Sequence, residues 1–369
     1  MEWISAVWQP AQPIPARILV TGCGTGNEAF ALRDRFPDSE IVAVDFSPRS
    51  IALAKNSQRR RRSKRKIHFA VCDLAGPKFQ KIVPGKFDFV SCHGVLSYVP
   101  RADKVLRNIS RCLAADGVFY LGVNGADHFS AAWRQVLPNF GFEINQMRDG
   151  PRLRKALTLL DTVSGTKICS IAQQEPAYLC GDLFGPLIRN LPLRDWVEMG
   201  ARAGLHLLAS KAASQMFRSA INNESFTFLV PRSRADLAQM LDILKPVSFH
   251  RLLFANRRPP APPWEKVSEL MKWRPLLAPH LRNRRWPRHR GRWETLRDLK
   301  IKTPATNALI ELRVAEWLLE ILRNSQGQVS LRQVLRGVGT AFNVRLLVQQ
   351  LYLLHHLDVL SLEEPASAA

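Results

Sequence analysis

Apolar positions between residues 18 and 123 fall in short unbroken runs and do not alternate with polar ones. Ile18 to Val20 enters a glycine-rich turn, Ile41 to Val44 stops at Asp45, and Ile67 to Val71 stops two positions before Asp73. Phe87 to Ser91 and Val118 to Val123 complete the set. Helical spacing fills the intervals at Asn27 to Arg35, Ser50 to Asn56 and Asp103 to Leu113. Continuous strands separated by helices predict a parallel sheet covered on both faces. The pattern lapses from Gly125 to Asn190, where helical stretches surround Ala131 and Arg154, and this segment reads as a helical insertion. A helix at Leu193 to Ala203 and strands at Leu205 to Leu208 and Phe226 to Val230 then resume the sheet. The expected class is α/β, a doubly wound, Rossmann-like, mostly parallel sheet occupying residues 1–232 with the insertion at about 125–190.

After Pro231 the character changes. Residues 233–305 read as a Pro/Arg-rich basic linker or regulatory segment, with Pro259, Pro260, Pro262 and Pro263 nearly contiguous. Residues 306–369 read as a smaller α-rich, winged-helix-like unit. It would hold a long amphipathic helix, a short helix at Leu331 to Arg336, a helix at Val344 to His356 and a strand at Val359 to Leu362. Leu347, Leu351 and Leu354 share one helical face and read as core.

Charge alters this picture more than composition does. The chain has 369 residues, 46% hydrophobic and 23% charged, which is ordinary for a globular protein, yet its net charge is +22. The segment Pro246 to Ala305 has fifteen Lys and Arg against four acids, half of that excess. A second run, Arg59 to Lys66, places seven positive charges in eight residues. Each run has two readings, a solvated basic face or contact with a polyanion. In Arg282 to Arg292, followed by Trp293, arginines interleave with Trp286 and Trp293, which suits base stacking or anchoring to the core. Six cysteines without a C-x-x-C pair, and no apolar run of transmembrane length, point to reduced thiols in a cytoplasmic protein without a membrane span. No His, Cys and carboxylate cluster has metal-ligand spacing, so no metal is expected.

The chemistry is concentrated in Leu19-Val20-Thr21-Gly22-Cys23-Gly24-Thr25-Gly26-Asn27-Glu28, a strand running into a helix. Glycines let backbone turn tightly against a ligand, and the helix start offers free N–H groups. The dinucleotide fingerprint needs its third glycine where Asn27 stands, which disfavours NAD and FAD. Asp45 ends the second strand, where a carboxylate can accept both hydroxyls of a ribose, and Asp73 follows the third, placed to meet an adenine amino group. The plainer alternatives are a tight turn and two helix caps.

Taken with Val42-Ala43-Val44-Asp45-Phe46-Ser47, Cys72-Asp73-Leu74, Phe87-Asp88-Phe89-Val90 and Leu113-Ala114-Ala115-Asp116-Gly117-Val118, residues 17–123 resemble a class I S-adenosylmethionine-dependent methyltransferase. The resemblance implies S-adenosylmethionine as cofactor, with Gly22, Cys23, Gly24 and Gly26 cradling its methionine part. It implies Asp45 on the ribose, Asp73 on the adenine, Phe46 and Leu74 flanking the adenine, and His93 beneath the methyl donor. One departure stands out: the family commonly has an acid two places before the first glycine, and here that residue is Val20. Parts of Ser248 to Leu253 also resemble the regulatory region that follows the catalytic domain in some bacterial methyltransferases, including lysine methyltransferases.

Methyl transfer from a sulfonium needs positioning more than acid–base help, though a base must take the proton of a protonated acceptor. No motif picks out that base: His93 and Tyr98, after the fourth strand, read first as structural or pocket-wall residues and only second as candidate catalytic ones. The Asn/Asp-Pro-Pro-aromatic tetrapeptide of amino-group DNA methylation and a Pro-Cys nucleophile are both missing. The insertion and C-terminal unit point to a large acceptor, a protein side chain before RNA and RNA before a small metabolite. The competing class is a noncatalytic interaction protein built on the same fold.

Overall fold

The computed structural model describes residues 2–8, 14–61, 65–142, 185–220, 233–259, 261–287, 295–303, 309–338 and 343–365, with isolated positions between them. Seven strands form the central sheet: β1 (Arg17–Thr21), β2 (Glu40–Asp45), β3 (His68–Val71), β4 (Phe87–His93), β5 (Leu113–Asn124), β6 (His206–Ser210) and β7 (Phe249–Ala255). Their order across the sheet is β3-β2-β1-β4-β5-β7-β6. β1 to β5 pair in parallel, and β7 runs antiparallel between β5 and β6. The chain winds outward from β1 to β3 and returns to lay β4 on the other side of β1. This reversal opens a crevice at the carboxyl ends of β1 and β4, where ligands bind in sheets of this kind. Both faces are covered, as the unbroken apolar runs require: Leu19, Val44, Val90 and Cys92 pack into one core, and Ile18, Val20, Ala43 and Phe89 into the other.

The first five strands and the helices between them fall where the sequence puts them, and so does the helix Leu193–Arg202 leading to β6. The sheet's last strand does not. Phe226 to Val230 lies outside the described residues, and the strand that fills the place between β5 and β6 is Phe249–Ala255. It belongs to the stretch expected to be a linker, beyond the boundary expected at residue 232. Leu252, Leu253 and Phe254 have no solvent exposure, so burial on both faces holds the segment in the sheet. The insertion opens with a helix at Phe129–Val136; Arg154 itself lies outside the described residues, and the isolated positions described near it, Pro151, Lys155, Thr158, Leu159 and Thr162, are helical.

The described residues of the remaining basic segment are likewise built into a second core. Trp264, Trp273, Leu277, Leu281, Leu299 and Ile301 are buried with Trp317, Leu318, Leu347, Leu351 and Leu354. Arg274–Leu277 forms β8, which pairs antiparallel with β11 (Leu360–Glu363). Leu296–Lys302 forms β9, which pairs with β10 (Leu309–Ala315). The sequence suggests one long helix after Asn307, whereas Leu309–Ala315 is a strand and the helix covers only Glu316–Asn324. The reason is the period: Ile310, Leu312 and Val314 are buried, and Leu309, Glu311 and Arg313 are exposed. Shorter helices at Leu331–Leu335 and Val344–His356 complete the unit.

Asp358 joins the two parts. It is 3% exposed, in left-handed backbone at φ 57°, and its carboxylate takes an ion pair from Arg234 at 2.7 Å. Ser214 donates to it at 2.8 Å and the Trp3 indole at 3.0 Å. The partners come from the first helix (Glu2–Val7), the helix after β6 (Lys211–Ala220) and the helix before β7 (Arg234–Leu244). Removing one partner of a buried ion pair strands the other charge. Asp358→Asn keeps the shape but leaves Arg234 unpaired, so it should cost about 3 kcal/mol, read from urea unfolding. A change below about 0.5 kcal/mol would remove this carboxylate as a junction.

Candidate functional site

The turn after β1 is closed by backbone conformation. Gly22, Gly24 and Gly26 have φ values of 65°, 53° and 93°, a region costly to side-chain-bearing residues. A Cβ on Gly22 would lie 2.3 Å from Val95, and one on Gly26 would lie 3.0 Å from the Phe30 ring. Gly24 differs: a Cβ there would meet nothing within 4 Å. Packing therefore excludes a side chain at Gly22 and makes Gly26 tight against the Phe30 and Phe69 rings, while Gly24 lies in open space.

Asp45 holds this turn from the neighbouring strand. Its carboxylate accepts from the backbone N–H of Gly24 and from that of Ser47, each at 2.8 Å. The Cys72 N–H donates to the Asp45 carbonyl at 2.8 Å, which ties the end of β3 to the end of β2. Asp73 accepts from the Ala75 N–H at 2.9 Å and faces Arg101 at 3.3 Å. Phe46, immediately after Asp45, is 77% exposed, an unusual condition for an aromatic ring. Leu74, its expected counterpart, is 5% exposed and packs within the core. Cys23 is also buried, and burial first, then the Asp45 charge, pushes its thiol up to about 12. It stays protonated at neutral pH and is no nucleophile.

His93 ends β4 and lies over Gly122 of β5, where a Cβ would come within 2.4 Å of its ring. Its Nδ1 pairs with the Tyr120 hydroxyl at 3.1 Å, and its ring stacks on that of Tyr120. Burial, then Arg251, lowers the His93 pKa, so the ring is neutral at pH 7. Tyr98 lies across the β5 end, its hydroxyl 3.4 Å from the Asn124 side chain, which in turn reaches Asn190 at 3.1 Å. Arg189 donates to the carbonyls of Leu96, Val99 and Pro100, fixing the loop that carries Tyr98. The sequence-derived candidates are thus brought to one end of the sheet, with Leu74 beneath the surface. Among the described residues, no group of three or more His, Cys, Asp or Glu could hold a metal ion.

Sequence reasoning missed Glu28, Ser91, Tyr120 and Asn124. Glu28, in the first turn of the helix Asn27–Arg35, accepts from the Ser91 hydroxyl at 2.5 Å, and burial raises its pKa. Ser91 is the register partner of Val20. A carboxyl group therefore stands beside the strand position where the resembling family places its acid. Only the strand register reveals this. Asn124 had a local signal, as the polar residue closing the apolar run Val118 to Val123.

Residues 19–119 match a family model described as a methyltransferase domain. An uncharacterised Synechococcus protein is 34% identical over 110 residues, 29% of this chain and 25% of that protein. A malonyl-[acyl-carrier protein] O-methyltransferase of Bacillus cereus is 29% identical over 113 residues, 31% of this chain and 39% of that one. A trans-aconitate 2-methyltransferase of a Mycobacterium species is 25% identical over 258 residues, 66% of this chain and 85% of that one. The match thus spans between 19% and 43% of the length of the first three curated relatives. Among solved structures, PKMT2 from Rickettsia typhi aligns with a TM-score of 0.56 at 15% identity, over 98% of this chain and 75% of that one. The same protein in complex with AdoHcy aligns with a TM-score of 0.52. No helix among the described residues is long and apolar enough to cross a membrane.

Two outcomes follow from the geometry. Gly24→Ala should cost only the left-handed strain of about 1–2 kcal/mol. Gly22→Ala adds overpacking against Val95 and should cost about 2–5 kcal/mol in urea unfolding; equal costs would refute the packing argument. In an NMR titration His93 should gain its proton below the ordinary value of 6.5, and Arg251→Ala should move that midpoint upward. Because the folded-state value is lowered, this ring's contribution to stability is intact at neutral pH and is lost as pH falls below 6.5.

Proposed function

We propose that this chain, whose residues 19–119 form a class I S-adenosylmethionine-dependent methyltransferase domain, binds that cofactor at the carboxyl ends of β1 to β4 and methylates a protein side chain. The observation that carries the cofactor reading is the open left-handed turn at Gly24, braced by Asp45. Each Asp45 oxygen accepts one backbone N–H and keeps a second lone pair, which supports acceptance from two ribose hydroxyls. The exposed ring of Phe46 offers a face for a purine, and Asp73 an acceptor for its amino group. Leu74 shapes the floor from within the core. Glu28 is available to the cofactor's ammonium group, and a cation there would draw its raised carboxyl into the ionised form. These residues fit the group the resemblance implies.

When bound, S-adenosylmethionine supplies an electrophilic methyl on a sulfonium. The chain's own residues hold the acceptor in line, the main source of rate in such a transfer. His93 is neutral, and in the tautomer whose Nδ1–H donates to the Tyr120 hydroxyl, Nε2 holds the lone pair that takes a proton from an acceptor that starts protonated. Tyr98 and Asn124 wall the acceptor side.

A protein acceptor is supported by the second unit, which packs against the methyltransferase domain through Asp358 and gives it a surface that a small acceptor does not require. A second reading, a small carboxylic acid, is supported by the likeness to the trans-aconitate enzyme, which spans two thirds of this chain. Calorimetry should detect S-adenosylmethionine and its demethylated product. Asp45→Ala should weaken both at least tenfold, and Glu28→Gln about tenfold, from the loss of charge-assisted bonds. No binding at millimolar cofactor overturns the enzyme reading. With tritiated cofactor in cell lysate, label removed by protease and not by nuclease identifies a protein acceptor; label in a small-molecule fraction supports the second reading instead.

A further inference from the structure

The basic run after the helix Pro48–Arg60 has a structural partner that the methyltransferase reading leaves unused. An open cavity of about 210 Å³ is lined by Phe30, Arg33, Gln58, Arg61, Arg65 and Ile67, with Asp34 at its wall. It lies between the helix Asn27–Arg35 and the helix Pro48–Arg60, at the amino ends of β2 and β3. Asp45 stands at the carboxyl end of β2, so about five residue steps, roughly 16 Å, separate this cavity from the glycine turn.

Arg33 gives the cavity its chemistry. It is 4% exposed, and its Nη1 donates to the carbonyls of Phe36, Pro37 and Ser39 at 3.2, 2.8 and 2.8 Å. Those bonds fix the guanidinium plane. Nε and Nη2 are buried and have no hydrogen-bond partner. They form the edge with which a guanidinium grips two oxygens of one phosphate or carboxylate. Two buried donors left unpaired are costly unless something occupies them. The surrounding charge points the same way. Arg61 lies over the Phe30 ring at 4.3 Å and 3.6 Å from Asp34, and Arg65 donates to the Asp38 carbonyl at 2.7 Å. Asp34 is the sole acid among the lining residues, against three arginines. Burial and then the Arg65 charge hold Arg33 below its ordinary pKa, with Asp38 acting against them.

We propose that this cavity is a phosphate-binding site, separate from the cofactor site, in which Arg33 grips a phosphate with its free edge while Arg61 and Arg65 close over it. Arg61 and Arg65 belong to a sequence run, Arg59 to Lys66, with seven positive charges in eight residues. That many cations match several phosphates in a row, so a single-stranded nucleic acid is the source the charge pattern favours.

The test uses the full chain with Arg61→Gln/Arg65→Gln, two exposed side chains whose replacement leaves the Arg33 carbonyl bonds intact. Arg33→Lys is a second variant, with its melting temperature measured in parallel. The probes are inorganic pyrophosphate by calorimetry and a fluorescent 20-nucleotide RNA by anisotropy across a salt series. The expected result is at least tenfold weaker pyrophosphate binding in both variants, and a log–log salt slope for RNA flatter by about 1.4 in the double variant, from two lost phosphate contacts at ~0.7 each. Calorimetric binding of S-adenosylmethionine should be unchanged, which keeps this outcome apart from that of the cofactor reading. Pyrophosphate binding without RNA binding would overturn the strand assignment and leave a small phosphoanhydride as the ligand. Undetectable pyrophosphate binding at millimolar concentration, or RNA binding identical in wild type and double variant, would overturn the site.

Discussion

The bend from β1 into the helix Asn27–Arg35 depends on one backbone constraint: positive φ at Gly22, Gly24 and Gly26. L-residues with side chains resist that conformation, and a methyl group would also collide with Val95 at Gly22 and press on the Phe30 ring at Gly26. Once the turn takes this path, the Gly24 N–H points to Asp45, and the ends of β1 and β2 are locked in register by a carboxylate and not only by ladder bonds. The crevice beside β4 then has a rigid rim. The order of strands opens the crevice, and the turn gives it a floor polar enough to hold a ligand.

The second unit is joined to that sheet by polar groups buried between apolar cores. Asp358 collects an arginine, a serine and an indole from three separate helices, so its position fixes all of them together. Glu316, also without exposure, pairs with Arg297 of β9. Buried ion pairs of this sort are poor sources of net stability but are intolerant of misplacement, and they determine how two apolar surfaces meet. Among the described residues of the basic segment, Trp286 and Trp293 pack against the second core, and Arg284 lies over the Trp286 ring.

What the sequence made legible was local chemistry and local period. The glycine turn, Asp45, Asp73 and the first five strands are each encoded within a few consecutive residues. The last strand was not legible because His250 and Arg251 interrupt its apolar run, and its burial depends on β5 and β6, far away in sequence. The strand Leu309–Ala315 was absorbed into a helix because the helical face of Trp317 to Leu322 follows it without a break. Glu28 could not be read as a site residue, since its meaning comes from the pairing of Val20 with Ser91. Arg33 reads in sequence as one more exposed cation; its environment is created by the chain reversal at Phe36 to Ser39.

The antiparallel β7 has a consequence for how the chain is made. During translation β5 emerges by residue 124 and β6 by residue 210, but the strand that separates them ends at residue 255. Until it arrives, β5 and β6 each present an unpaired edge, and apolar residues such as Val118, Phe119 and Leu121 lack their covering. The nascent protein thus passes through an interval on the ribosome in which one edge of β5 and both edges of β6 are adhesive. Several of the cations that keep the chain dispersed, the run from Arg59 to Lys66, have already emerged by then.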